Sequence, residues 1–273
     1  MCIRDSNSTF KHNTQRYGGV IATAYTANRV AITITNCEFI NNSADYGGVL
    51  AIGTNYAVTI TDSKFTKNSA HREGGILHLA AADNVRITII ASEFSTNSAQ
   101  DGGIVSALGA NNTIVITRSN FTNNHAYRTS GGIVSSIGCG SNDTITITNS
   151  HFSDNSAPVG GVLRMTSVNV IVSQSTFTNN TANYDGGILY YTSSVKARSV
   201  RSTVIDYLPY PFDKQHYTVI ITDSKFTKNR AVNGGVLHST DTLTHTEVYQ
   251  LNVKLLHLPV SYTHLTLPTI YSV

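Results

Sequence analysis

The feature that most limits the folds open to this chain is an internal repeat. Eight copies of Phe-x-x-Asn begin at Phe10, Phe39, Phe65, Phe94, Phe121, Phe152, Phe177 and Phe226, and a Gly-Gly pair follows each one. The pairs start at Gly18, Gly47, Gly74, Gly102, Gly131, Gly160, Gly186 and Gly234 and hold 16 of the 20 glycines, so glycine here marks positions in a repeat. Successive Phe residues are 25 to 31 residues apart, except for a 49-residue step between Phe177 and Phe226.

Upstream of the seven complete copies the residues five and seven before Phe are always Ile or Val, as in Ile32/Ile34, Val58/Ile60 and Ile145/Ile147. Mostly Thr lies between and after them, which is the period-two alternation of a half-buried strand. A second apolar strand follows the glycines, with Leu50, Leu77, Val105, Val134 and Leu163 two positions after the pair. Across the eight repeats the residue after this apolar one varies (Ala22, Ala51, His78, Ser106, Ser135, Arg164, Tyr190, His238) and is expected to face solvent. The repeat therefore reads as strand, Phe-Asn corner, Gly-Gly corner, strand and polar loop.

Such a unit cannot bury its own apolar side, but stacking copies in parallel buries a continuous core. This predicts an all-β chain forming a parallel β-helix of about eight coils of 25–31 residues. Irregular spacing speaks against a propeller, whose blades need four strands in about 40 residues. In the stack, Phe39, Phe65, Phe94, Phe121, Phe152 and Phe177 should form one column, and Asn42, Asn68, Asn97, Asn124, Asn155 and Asn180 a hydrogen-bonded amide ladder. The ladder Asn is expected to accept left-handed backbone geometry, and Gly-Gly to supply a bend at positive φ. Glu38, Lys64 and Glu93 should then line up as an outer stripe of alternating sign.

Composition narrows the function. Charged residues make up only 13% of the chain, the net charge is +3 and the basic residues are scattered, which excludes a nucleic-acid footprint. No apolar run is long enough for a membrane-spanning helix. Cys2, Cys37 and Cys139 cannot build a disulfide framework, and Cys37 occupies the position two before Phe where the other copies have Ser. No metal-ligand spacing, nucleotide loop or nucleophile motif is present, so no cofactor or metal is expected.

Candidate chemistry is sparse. Glu73 and Asp101 directly precede the Gly pairs of adjacent repeats, and Asp185 does so three repeats on. Paired carboxylates serve glycoside hydrolysis when they lie about 5–9 Å apart, but an acid before Gly is also ordinary turn chemistry. His78 and His238 share a register five repeats apart. Thr-x-Thr pairs, which form the flat faces of ice-binding solenoids, occur in three of seven complete strands (Thr33/Thr35, Thr59/Thr61, Thr146/Thr148), too few to specify such a face. The segment 192–217 interrupts the repeat, either looping out or forming one degenerate coil. Its Lys196, Arg198, Arg201 and Tyr210 are the expected partner-contacting residues, since recognition concentrates in loops on a rigid scaffold.

Both termini resemble translated sequencing-adapter DNA, so 1–6 and 260–273 are expected to be non-native, flanking a single repeat domain over 7–259. At the repeat positions before Phe10 stand Ile3 and Asp5, so the strand pattern breaks inside the first of these segments.

The pairing of Phe-x-x-Asn with Gly-Gly-apolar resembles the repeats of the chlamydial polymorphic outer membrane proteins and of adhesin-like right-handed parallel β-helix proteins, over residues 10 to about 239. The resemblance implies a right-handed coil and a secreted or cell-surface passenger at the bacterial outer membrane. Such a passenger would be non-catalytic and contact a host or cell-surface protein or a glycan. The alternative is a carbohydrate-active β-helix enzyme, lyase or hydrolase, whose catalytic loops lie largely elsewhere. Exposed end coils leave strand edges unpaired. Purified 7–259 should elute as soluble aggregate, and a clean monomer by light scattering would count against this.

Overall fold

A computed structural model describes residues 2–23, 30–79, 82–107, 109–136, 143–192 and 219–239. The described residues form a parallel β-solenoid: all 31 strands pair in parallel, and no helix is present among them. The strands fall into four sheets of eight, eight, seven and eight strands. One turn comprises Val30–Thr35, Glu38–Ile40, Ser43–Tyr46 and Leu50–Ile52, one strand for each sheet.

Four strands per turn, where the alternation pattern shows only two, is the main correction to the sequence reading. Phe39 is the middle of a three-residue strand rather than a corner, and the segment between Asn and the glycines is a strand as well. Strands this short carry too few residues for a period-two signal to emerge. Within the long first-sheet strands the alternation holds, with Val30, Ile32 and Ile34 buried and Ala31, Thr33 and Thr35 half-exposed.

Register keeps each residue type on its own kind. Phe65 pairs with Phe39 on one side and Phe94 on the other. Their rings stack at 4.7 and 4.8 Å between centroids, with planes within 3° of parallel. The column runs from Phe10 to Phe226, opening to 5.2 Å only at its last step. Six of these rings, Phe39 to Phe177, are at most 1% exposed.

The asparagine ladder is continuous. The Asn42 backbone N–H and Nδ2 both donate to Asn68 Oδ1 at 2.9 Å, while Nδ2 also donates to the Phe10 carbonyl at 3.1 Å. The same trio recurs at Asn68, Asn97, Asn124, Asn155 and Asn180, so a fully buried amide satisfies two turns at once. A second ladder was not anticipated. The backbone N–H of Ser63 donates to Ser92 Oγ at 3.1 Å, and the relay continues through Ser119, Ser150, Ser175 and Ser224. Cys37 heads this file: its N–H donates to Ser63 Oγ, its Sγ donates to the Thr35 carbonyl at 3.2 Å, and it is a free, buried thiol.

Left-handed geometry falls one residue earlier than expected. The ladder Asn residues are not at positive φ; the residues just before them are, including Asn41, Lys67, Thr96, Asn123 and Asn179. A second set precedes the serine ladder, among them Asn36, Asp62, Ala91 and Arg118. One left-handed residue turns the chain, and the polar residue after it points inward to bond the bend. At the third corner only the first glycine has positive φ, as at Gly74 (+66°). The second is needed for a different reason: a Cβ on Gly75 would lie 2.2 Å from the carbonyl oxygen of Gly103 in the next turn.

The 49-residue step adds no rung, because Val170 pairs directly with Val219 and Phe177 with Phe226. At the other end Cys2–Ser6 pairs with the first-sheet strand of the next turn, which sets Asp5 beside Ile34. Asp5 accepts a 2.6 Å hydrogen bond from Ser8 Oγ.

Two substitutions separate these contributions. Asn97→Ala strands the Asn68 amide donors and the Phe65 carbonyl, and should cost roughly 3 kcal/mol or more in urea unfolding. Thr96→Asn relieves a β-branched residue at φ 58° and should add about 1 kcal/mol.

Candidate functional site

Residues that precede the glycine pairs and residues central to the fourth-sheet strands project toward one another across the Gly-Gly bend. Their side chains meet in a furrow parallel to the solenoid axis. This changes the reading of the residues expected to face solvent: Ala51, His78, Ser106 and Ser135 are buried, at 1–4% exposure. The overlying side chains account for this burial. Tyr46 lies over His78, with ring centroids 5.0 Å apart, and Glu73 covers Ser106. Further along, Arg164, Tyr190 and His238 are half-exposed, as expected of a less covered stretch.

The densest chemistry in the furrow surrounds Glu73. Its Oε2 accepts a 3.3 Å hydrogen bond from Ser106 Oγ and stands 3.4 Å from His78 Nδ1. That second approach is not aligned as a hydrogen bond, and the buried nitrogen has no other partner. Burial raises the Glu73 carboxyl above its ordinary value; the Ser106 hydrogen bond opposes the shift and the neighbouring Asp101 charge adds to it. Burial also lowers His78 to about 4, so its imidazole is neutral at pH 7. The contact is therefore not an ion pair at neutral pH, since loss of solvent outweighs attraction for both groups.

Glu73 and Asp101 pair in register, so the acids of adjacent repeats do come together on neighbouring turns. Asp185 does not join them. It accepts a 2.8 Å hydrogen bond from Asn233 Nδ2 and faces His238 at 3.9 Å. His78 and His238 each sit beside an acid, a relation that their shared register does not reveal. The signal was present: Glu73-Gly-Gly-Ile-Leu-His78 places an acid and a histidine on opposite flanks of one glycine bend.

Stacked aromatics extend the furrow at its upper end, with Tyr17 on Tyr46 at 5.3 Å. Arg16 and Arg72 lie over these rings, and Arg72 Nη1 donates to the Tyr46 hydroxyl at 3.0 Å. Lys64 and Glu93 of the alternating stripe approach to 3.7 Å but are more than half exposed, which makes them surface trimming. Among the described residues no three His, Cys, Asp or Glu side chains converge as a metal ion would require. Lys196, Arg198, Arg201, Tyr210 and Cys139 lie outside the described residues, as does 260–273. Comparison with known proteins leaves the site to speak for itself: no family model, no curated protein and no solved structure matches the chain.

The lowered His78 pKa sets a pH dependence. The unfolded chain binds the histidine proton below about 6.5 and the folded chain only below about 4, so His78 favours unfolding as pH falls through that window. His78→Gln removes the ionisation. Between pH 7 and pH 4 wild type should therefore lose about 3 kcal/mol more stability than the variant, measured by urea titration at each pH.

Proposed function

We propose that the chain is a non-catalytic binding scaffold, an adhesin-like module of a secreted or surface-displayed protein, wound in the right-handed sense that parallel crossovers favour. One observation carries this reading. The inward residues repeat from turn to turn as columns of Phe, Asn, Ser and Ile, whereas outward files change between turns, as in Glu38, Lys64, Glu93, Asn120 and His151 of the second sheet and Arg164, Tyr190 and His238 of the fourth. A rigid interior with a variable exterior is what presentation of a binding surface requires. The third-sheet face supports it further, since its exposed Arg16, Arg72, Arg128, Tyr127 and Tyr184 are residue types enriched at protein interfaces. The expected partner is a cell-surface protein or glycan.

A carbohydrate-active enzyme is the second reading, favoured by the registered Glu73 and Asp101 and by the raised Glu73 carboxyl. One experiment separates the two. The purified chain, presented on beads, is assayed for saturable binding to a panel of cells and immobilised glycans, and in parallel for release of reducing ends or unsaturated products from polysaccharides. The scaffold reading predicts binding unchanged by Glu73→Gln and no product. Turnover that Glu73→Gln or Asp101→Asn abolishes would establish the enzyme instead.

A further inference from the structure

The first sheet has an outer face unlike the others. From Val30–Thr35 to Val219–Thr222, seven strands present two parallel outward files. One file starts Thr33, Thr59, Thr88 and the other Thr35, Thr61, Ile90, each in unbroken register. The fourteen positions hold nine Thr, four Ile or Val and one Ser, and none of them is charged. Thr-x-Thr pairs alone do not show this, because the remaining eight sites hold single Thr residues, one Ser, and Ile or Val, which keep the branched methyl shape of Thr. All fourteen are half-exposed, so the face is even rather than knobbed.

Strand preference alone explains β-branched residues on a sheet, but not the missing charge. The second sheet also has an uncharged outward file, from Ile40 and Thr66 to Thr227, but its other outward file runs through Glu38, Lys64, Glu93, His151 and Lys225, and the third sheet displays Arg16, Arg72 and Arg128. On the first sheet charge stays at the margins, at Arg4 beyond the end of one file and at Arg86 in a third file beside them. The hydroxyls are also little used within the protein: among the described residues the one side-chain hydrogen bond between members of the two files joins Thr148 to Ser173 at 3.3 Å.

We infer that this face binds ice. Its neutrality matches a neutral partner, and its order matches a repeating one. Parallel strands set hydroxyls and methyls about 4.8 Å apart across the sheet and about 6.6 Å apart along each strand, close to the oxygen spacings on the prism faces of hexagonal ice. A hydroxyl can take a lattice oxygen's place while the neighbouring methyl fills the hollow beside it. Each such contact is weak against liquid water, so recognition needs many of them in fixed positions, which the Phe and Asn columns beneath supply. The two files contain no aromatic residue and no Arg, the anchors that a protein partner would need. The absence of aromatic rings also removes the usual platform for a sugar face.

The test uses the full chain, assayed for thermal hysteresis and for partition into a slowly growing ice front. Thr59→Lys with Thr146→Lys breaks the first-sheet array, and Thr178→Lys places the same charge on the second sheet. Circular dichroism establishes that all are folded. Wild type and Thr178→Lys should be taken up by ice with measurable hysteresis, and the double variant should lose at least tenfold of both. Exclusion of wild type from ice to the same degree as the double variant overturns the inference. So does capture by crystalline cellulose without partition into ice, which would assign the face to a polysaccharide surface.

Discussion

Parallel stacking at one fixed spacing is the constraint on which everything else in this molecule depends. When every turn sits about 4.8 Å above the last, any residue repeated in register meets its own kind, and the best residues for each column are those that interact well with themselves. Flat rings do so by stacking, primary amides by donating on one side and accepting on the other, and hydroxyls by relaying a backbone N–H. Phe, Asn and Ser occupy these columns for that reason. None of the three makes the same use of a single turn, so the stability of one turn is inseparable from that of its neighbours.

The corners follow from the same demand. Each must change the chain direction sharply without disturbing the rung above, and the chain does this with one left-handed residue at a time. Exposed Asn, Lys, Thr or Asp serve at the first two corners, where side chains point to solvent. Glycine is required at the third, where the next turn's backbone leaves no room for a Cβ. The interior is fixed by these rules, while the exterior remains open to variation, and chemistry appears where outward side chains from two sheets meet over the glycine bend.

The repeat made much of this legible. Phe and Asn columns, inward Ile, outward Thr and the bend at glycine can all be read from spacing, because each recurs in a column that stacking explains. What escaped was local or emergent. Strands of three residues such as Glu38–Ile40 are too short to show alternation, and the serine relay shows in the sequence only as a Ser recurring two residues before Phe. The furrow around Glu73 and His78 depends on the angle between two sheets, which no single-strand pattern encodes. Burial of His78 comes from Tyr46, a residue of the preceding turn, and becomes visible only once the turns are stacked. The neutral first-sheet face escaped for a related reason, since it is a property of seven aligned strands and of the contrast with their neighbours.

The most direct measurement of the central claim is proximity between ring protons in a sample whose phenylalanines are selectively labelled and individually assigned by substitution. Nuclear Overhauser contacts should link Phe94 to Phe65 and to Phe121, and to no other phenylalanine ring, as centroid separations of 4.8 Å on both sides require. If Phe94 showed no contact with either ring, the columns would not exist, and the ladders, the furrow and the flat threonine face would have no common axis to align them.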